Sequence, residues 1–487
     1  MGRLVRRFVA FAFGNGVIAS RRRLRITAGP RPGAGHVTRA SVKRILPLIA
    51  VLALVITGPA TTPSVRAGAA RPNVILIVTD DQAWNTLWAM PVVQSRLIAK
   101  GTTFTNAFTP TSVCCPSRAT ILTGQYAHTH GLWSNKLPLG GFHRFDDDST
   151  LATWLDDAGY RTALVGKYLN EYGAADASYI PPGWDRWLAL THDPHGSYLD
   201  FDFSDDGRLA HNDADYVTDF LRDEAADFIR TSAVPFFLYF TPTAPHIDAI
   251  PAPRHEGAFS DLQRFRPPNF NEPDVSDKPS WVARANPWSV ERIRDTDQLR
   301  MDMYETLLAV DEAVATLLKA TQGEATIVLF TSDNGYQFGE HRLRGKNDAY
   351  DHTSRVPLVI REDGVVPAGA VDRRIALNVD LARTIGAATS VPMPKAEGLG
   401  LFGVETRSAF VVEGVESGHR PAFCGVRTLT HLFVHYATGE EELYDYGDDP
   451  FELANLASSP DSQRDVRLLR RAARSLCRPL PPGLAAF

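Results

Sequence analysis

The chain has 487 residues, 44% of them hydrophobic, enough for a large buried core and, by length, for about two to four domain-sized units. The first 70 residues hold 12 Lys or Arg and no Asp or Glu, so the remainder carries 39 basic against 56 acidic side chains, a balance of −17. A field of that sign repels nucleic acid and long polyanions, which argues against nucleic-acid partners and requires any anionic ligand to be drawn by a local basic pocket.

Ile45 to Ile56 is an unbroken apolar run apart from Pro47, preceded by Lys43 and Arg44. It is too short to span a bilayer and predicts the core of a signal peptide, with Val65-Arg66-Ala67 before a mature start near Gly68. The expectation is an exported protein, secreted, periplasmic or at the cell surface, with a leader over 1–70 and no stable membrane span. Ser20-Arg21-Arg22-Arg23-Leu24 resembles a twin-arginine export motif set about twenty residues too early, and a true start near Val37 accounts for it more simply.

Asn73 to Thr79 reads as a strand buried on both faces, ending in Asp80-Asp81. The pattern recurs: Thr162 to Val165 ends in Gly166-Lys167, Pro235 to Phe240 leads to Pro245-His246, and Thr326 to Thr331 leads to Asp333-Asn334. Helical periodicity fills the gaps at Thr150 to Ala158, Ala214 to Ile229 and Asp295 to Leu318, while Pro251 to Trp288 reads as a long loop of the kind that binds or covers a substrate. The alternation predicts an α/β fold, a doubly wound, mostly parallel sheet flanked by helices over 71–390, with ligands bound outside the carboxyl ends of the strands. After Val391 short strands at Ser408 to Glu413, His431 to Tyr436 and Glu442 to Tyr444, then a helix near Ser462 to Leu476, predict a smaller α+β subdomain over 391–487.

Asp80, Asp81, Asp333 and Asn334 offer hard oxygen ligands at two strand ends far apart in sequence. A divalent cation needs that combination, and calcium tolerates its irregular geometry better than magnesium does. Arg118 lies four residues after Cys114, so on a helix its guanidinium shares a face with that thiol. Of the four cysteines, export makes a Cys424 to Cys477 disulfide possible, and Cys115 is expected to be a free buried thiol.

Cys114-Cys115-Pro116-Ser117-Arg118-Ala119-Thr120-Ile121-Leu122-Thr123-Gly124 matches seven positions of the signature C-x-P-S-R-x-x-x-L-T-G, a coincidence expected on the order of once in a billion starting points. The chain thereby resembles the formylglycine sulfatases over about Arg71 to Ser459. The resemblance implies that a maturation enzyme oxidises Cys114 to an aldehyde whose hydrate attacks sulfur. It further implies that Asp80, Asp81, Asp333 and Asn334, with the oxygen from Cys114, hold the metal, and that Lys167, Lys346 and His246 surround the sulfate. Asp333 would then help deprotonate the nucleophile, and His246 or Lys346 would protonate the departing alcohol. Glu442-Leu443-Tyr444-Asp445, Asp449-Pro450 and Asn455-Leu456 resemble the family's C-terminal subdomain.

The doubled cysteine, Gly124 to His128 and Gly166 to Tyr172 are similar to the branch containing N-acetylglucosamine-6-sulfatases and heparan endosulfatases. That branch implies a sulfated saccharide as substrate. Many sulfatases carry histidine where this chain has Leu169, and His128, His130 and Asn170 are the candidates to replace it. Two other readings keep the same fold: a phosphonate or phosphate ester hydrolase, separated by turnover of matched aryl esters, and a noncatalytic carbohydrate binder. Retention of the oxidisable cysteine and the core polar positions argues against the binder.

Overall fold

A computed structural model describes residues 71–174, 176–191, 198–233, 235–321 and 323–487. The expected leader over 1–70, with its apolar run, export motif and cleavage point, lies outside the described residues. In chain order the strands of the main sheet are β1 (Asn73–Thr79), β2 (Thr102–Phe108), β3 (Arg161–Lys167), β4 (Arg186–Leu190), β5 (Phe201–Asp205), β6 (Arg208–Asn212), β7 (Phe236–Thr241) and β8 (Thr326–Ser332). A ribbon of β9 (Gln337–Phe338) and β10 (Arg344–Gly345) follows, and β11 (Leu358–Glu362) and β12 (Ala370–Leu377) complete the sheet. Its order is β12-β2-β11-β8-β1-β7-β3-β4-β5-β6.

The four strands read from the sequence, β8, β1, β7 and β3, lie side by side and run parallel. The departures from parallel pairing are β11, antiparallel to both β2 and β8, and the β4-β5-β6 meander at one edge. Every residue of β1 is buried, and its side chains divide between two cores as a strand covered on both faces requires. Val74, Leu76 and Val78 join one cluster with residues of α1 (Cys114–Thr123), α3 (Leu151–Asp157) and α8 (Asp380–Thr389), the short α2 (Ala127–His130) and α7 (Asp351–Ser354) falling between them in the chain. Ile75 and Ile77 join the other, with α4 (Val217–Thr231) and α6 (Val290–Ala320). The long α6 starts where the Ser289 side chain accepts a hydrogen bond from the backbone N–H of Arg292, an N-cap. Pro251 to Trp288 is irregular apart from the short α5 (Ser280–Ala283). No helix among the described residues is long and apolar enough to cross a membrane.

The C-terminal strands β13 (Ala409–Gly414), β14 (Phe423–Thr428), β15 (His431–Tyr436) and β16 (Glu441–Asp445) form a separate antiparallel sheet. Helix α9 (Gln463–Leu476) packs Val466 and Ala473 against it, and Cys477 is bonded to Cys424 on β14. Cys115 is a free, buried thiol. A further core joins Phe410, Val412, Leu432 and Val434 of this sheet to Phe108 and Leu377 of the main one and to Val379 just before α8.

His341 ties three regions together. Its Nδ1 lies 2.7 Å from Glu272 in the long loop, its Nε2 lies 3.6 Å from Glu452 beyond β16, and its ring stacks on Tyr350. Burial opposes the charged imidazole, but the two glutamates outweigh it and raise its pKa to about 9. A histidine whose pKa is about 6.5 unfolded and about 9 folded adds stability that is complete below pH ~6.5 and lost as pH rises through ~9, worth on the order of 3 kcal/mol. The thermal midpoint should therefore fall between pH 7 and 9.5. His341→Asn, which tolerates the left-handed backbone at φ 53°, should be less stable at pH 7 and show a flatter profile by calorimetry. A wild-type midpoint constant across that interval would refute this role.

Candidate active site

Register places the site. Thr79 of β1 lies opposite Ser332 of β8, so Asp80-Asp81 and Asp333-Asn334 leave the sheet together. The backbone N–H of Asp333 donates to Thr79 O (3.0 Å), and that of Asp81 donates to Asp333 Oδ1 (3.1 Å). Asp81 holds φ at 65°, a left-handed conformation that is uncommon outside glycine and strained where it occurs at functional sites. On the other side of β1, β7 leads to His246 and β3 ends at Lys167. Gly166 lets this happen: its φ is 124°, and a Cβ there would lie 2.1 Å from Thr241 O on β7.

Each fixed position of the signature has a local duty in α1, whose residues are all buried. Pro116 sits in the first turn, where its missing N–H costs no helical bond. Ser117 Oγ accepts from Asn378 Nδ2 (2.9 Å), and Leu122 enters the core. Thr123 Oγ1 donates to Ala119 O (2.7 Å). Gly124 ends the helix at φ 67°, where a Cβ would meet the Ala396 methyl at 2.6 Å. Arg118 joins the two strand ends: Nε donates to Asp333 Oδ2 (2.8 Å), an Nη donates to Lys167 O (2.9 Å), and the other Nη lies 3.4 Å from Asp80.

All nine residues assigned from the sequence converge here, although they span 267 positions of chain. Ligand atoms of Asp80, Asp81, Cys114 and Asp333 lie within 4.8 Å of one another, as do those of Asp80, Cys114 and His246. Cys114 Sγ is 3.5 Å from Asp80 Oδ1. Lys167 Nζ donates to Asp80, and Lys346 Nζ, delivered by the β9-β10 ribbon, reaches both Asp81 and the Cys114 sulfur. Asn334 Nδ2 donates to Asp81 Oδ1 (2.6 Å). The carboxylates, Cys114 and Arg118 are almost fully buried, whereas Lys167, His246 and Lys346 keep 17%, 17% and 14% of their side chains exposed. Those three are where the cluster meets solvent.

The electrostatics suit an incoming cation and anion. Burial disfavours the Asp80 carboxylate, but Lys167, His246, Arg118 and Lys346 outweigh it and hold its pKa far below the usual range. Burial and Asp80 together push Asp333 up against the pull of Arg118 and Lys346. Burial, reinforced by Asp80, pushes the Cys114 thiol up to about 12, so as an unmodified side chain it is a protonated, poor nucleophile. Burial pulls both lysines down, but the carboxylates more than compensate and keep them protonated. Three carboxylates thus face three cations, Lys167, Lys346 and Arg118, in the resting site.

These residues fit a divalent metal. Three buried carboxylates meet at one point, and the buried Asn334 Oδ1 has no hydrogen-bond donor. An orphaned amide oxygen beside converging carboxylates is the hard-oxygen set that calcium or magnesium takes.

Sequence reasoning did not find several supporting groups. Tyr198 donates its hydroxyl to His246 O (2.8 Å), Asn135 Oδ1 accepts from the Cys115 N–H (2.9 Å), and the buried Tyr239 hydroxyl is unpartnered. None has a motif; Tyr239 alone was visible as a polar tip in an apolar strand. Leu169 is core, and the two histidines among the candidates to replace the usual histidine are engaged elsewhere. His128 Nδ1 pairs with Glu413 at 2.9 Å, and His130 Nε2 lies 3.0 Å from Thr120 Oγ1. The Asn170 side-chain oxygen is buried without a partner.

The sulfatase family model matches residues 72–391. The chain is 34% identical over 359 residues to the human N-acetylglucosamine-6-sulfatase, covering 69% of this chain and 64% of that protein. It is also 34% identical to a Caenorhabditis elegans putative extracellular sulfatase homologue, covering 71% of this chain and 50% of the relative. The alignments thus reach less than two thirds of either relative. A solved complex of a protein with its substrate D-glucosamine-2-N,6-O-disulfate superposes with a TM-score of 0.74 at 26% identity, over 84% of this chain and 98% of that one. With the family pattern covering most of the chain and the fold matching, this protein belongs to the sulfatase family.

Proposed function

We propose that the protein hydrolyses a sulfate ester on a sugar, with the 6-sulfate of a glucosamine unit as the group removed. Formylglycine made from Cys114 by a maturation enzyme serves as nucleophile, and one calcium ion, with magnesium the alternative, binds at Asp80, Asp81, Asp333, Asn334 and residue 114. The observation that carries the reading is the convergence of Cys114 with three buried carboxylates and Lys167, Lys346 and His246 in a chain related to N-acetylglucosamine-6-sulfatases.

When bound, the cation supplies a Lewis acid for the sulfate oxygens and the aldehyde supplies an oxygen nucleophile. The chain's own residues do the rest. Lys167 and Lys346, fixed by Asp80 and Asp81, point charged donors at the mouth where the sulfate sits. Arg118 locks Asp80 and Asp333 in place. Asp333, with its raised pKa, is the group that accepts a proton from the nucleophile. His246 Nδ1 faces Ile247 O, which only accepts, so Nδ1 carries the proton and neutral His246 presents a bare Nε2. Lys346 therefore donates the proton to the departing alcohol, and His246 orients it.

A cavity of about 450 Å³ opens beside this point, lined by Ser112 and Val113 next to Cys114, Asn347 next to Lys346, and Trp133, Lys136 and Glu416. It is the place for the sugar. Release of sulfate from glucosamine 6-sulfate by purified protein tests the reading; activity confined to aryl sulfates or aryl phosphates would overturn it. The −17 balance beyond residue 70 adds an expectation. At low salt kcat/KM should be higher for short sulfated saccharides than for intact heparan sulfate, with the gap closing as salt screens the field. Equal rates at low salt would refute the charge argument.

A further inference from the structure

Helix α9 carries a row of arginines that neither the fold nor the catalytic cluster uses. Val466 and Ala473 bury one side of the helix against the C-terminal sheet, Arg470 pairs with Glu441, and the bond from Cys477 to Cys424 fixes its far end. Arg464, Arg467, Arg471 and Arg474 are all exposed. Their three- and four-residue spacing sets them along one flank, over about 15 Å of helix axis. Arg478 extends the row: it too is exposed, and its Nε donates to Arg474 O (3.0 Å). No ion pair among the described residues engages any of the five.

Local helix stability does not account for this row. Like charges one turn apart repel each other, and Arg464 stands in the first turn, where the positive end of the helix disfavours a cation. The row also opposes the charge of the molecule, which is −17 beyond residue 70. An anion approaching from elsewhere meets that repulsion, so the arginines act face-on and within about a Debye length, ~8 Å at physiological salt. The partner they suit presents many negative charges across a flat area at once. Leu468 narrows the choice. It is 51% exposed and lies one turn from both Arg464 and Arg471, among the charges. The backbone of a soluble polyanion offers little to an exposed leucine, whereas the boundary between lipid headgroups and acyl chains takes in both the leucine and the apolar stems of the arginines.

We propose that α9 is a docking face for an anionic membrane, the protein lying with this helix flat on a phospholipid leaflet. The guanidinium groups pair with headgroup phosphates, for which their planar forks are suited, and Leu468 dips between them. The contact is peripheral and needs no spanning helix. It does not depend on the sulfate-ester reading.

An environment-sensitive dye on Ser475→Cys tests it in the full chain. Residue 475 is exposed and one turn from Arg471, and the free cysteines 114 and 115 are buried, so the dye reports on α9 alone and stays silent if lipid is held by another segment. Its emission should shift to the blue with vesicles of equimolar phosphatidylglycerol and phosphatidylcholine and stay unchanged with phosphatidylcholine alone. Raising salt from about 50 to about 300 mM should weaken the apparent lipid affinity at least tenfold. Arg467→Gln, Arg471→Gln and Arg474→Gln combined should weaken it about a hundredfold, at roughly fivefold for each arginine, and Leu468→Ser alone about threefold. Should the triple variant fail to fold, Leu468→Ser and the salt response decide. A dye unmoved by anionic vesicles, an equal response to neutral ones, or variants that bind as the wild type does would each overturn the docking face. Tighter response to soluble dextran sulfate than to vesicles of matched charge would overturn it too, and would make the row a site for a soluble polyanion.

Discussion

Cys114→Ala is expected to lower sulfate release by about four orders of magnitude or more, because it removes the atom on which the nucleophile is built. Thermal stability should change little by comparison: the site loses one buried sulfur with its contacts to Asp80 and Lys346, a loss on the order of 1 kcal/mol. Cys115→Ala, one residue along and equally buried, should keep most of the activity, since its side chain sits in the apolar core away from the carboxylates. Peptide mass spectrometry of active protein should find the aldehyde at 114 and an intact thiol at 115. Full activity with unmodified Cys114 would sink the covalent mechanism.

Asp81→Ala is expected to lose bound metal and activity together, by at least about a thousandfold in rate. The substitution strips a ligand from the carboxylate cluster and removes the partners of Lys346 and of Asn334 Nδ2, so three of the site's groups lose their positions at once. Alanine also suits the left-handed backbone poorly. Asp81→Asn, which tolerates φ 65°, separates the two causes: it should fold like the wild type and still fail to hold the ion. Metal content by plasma mass spectrometry is the direct readout. A stoichiometric ion retained by both variants would contradict the assignment.

The four strands that carry the site were legible because each is an apolar run ending in polar residues, which β1 shows most plainly. What joins them was not. β2 was not among the strands expected, since only Phe104, Ala107 and Phe108 of its seven residues are apolar, and nothing local in β11 announces that it lies antiparallel between β2 and β8. Such pairings follow from how the whole sheet packs. The same division holds in the site. Asp80, Asp81, Asp333 and Cys114 could be named because their chemistry is rare in apolar surroundings and the signature is specific. Arg118 was placed on the correct helical face, but its bonds to Asp333 and Lys167 O depend on strands brought in from elsewhere.

The complete burial of α1 sets a deadline in biosynthesis. Cys114 and every other residue of that helix are shut in, and the strand that supplies Asp333 is made more than two hundred residues later. An enzyme that alters Cys114 has to grasp the segment as an extended chain, before β8 arrives and the sheet closes over it. If Cys114 is converted as proposed, modification and folding race, and the winner is recorded permanently in each molecule. A preparation in which folding won holds well-formed but inert copies, and exposure of the folded protein to the maturation enzyme cannot convert them, whereas unfolding them in its presence can.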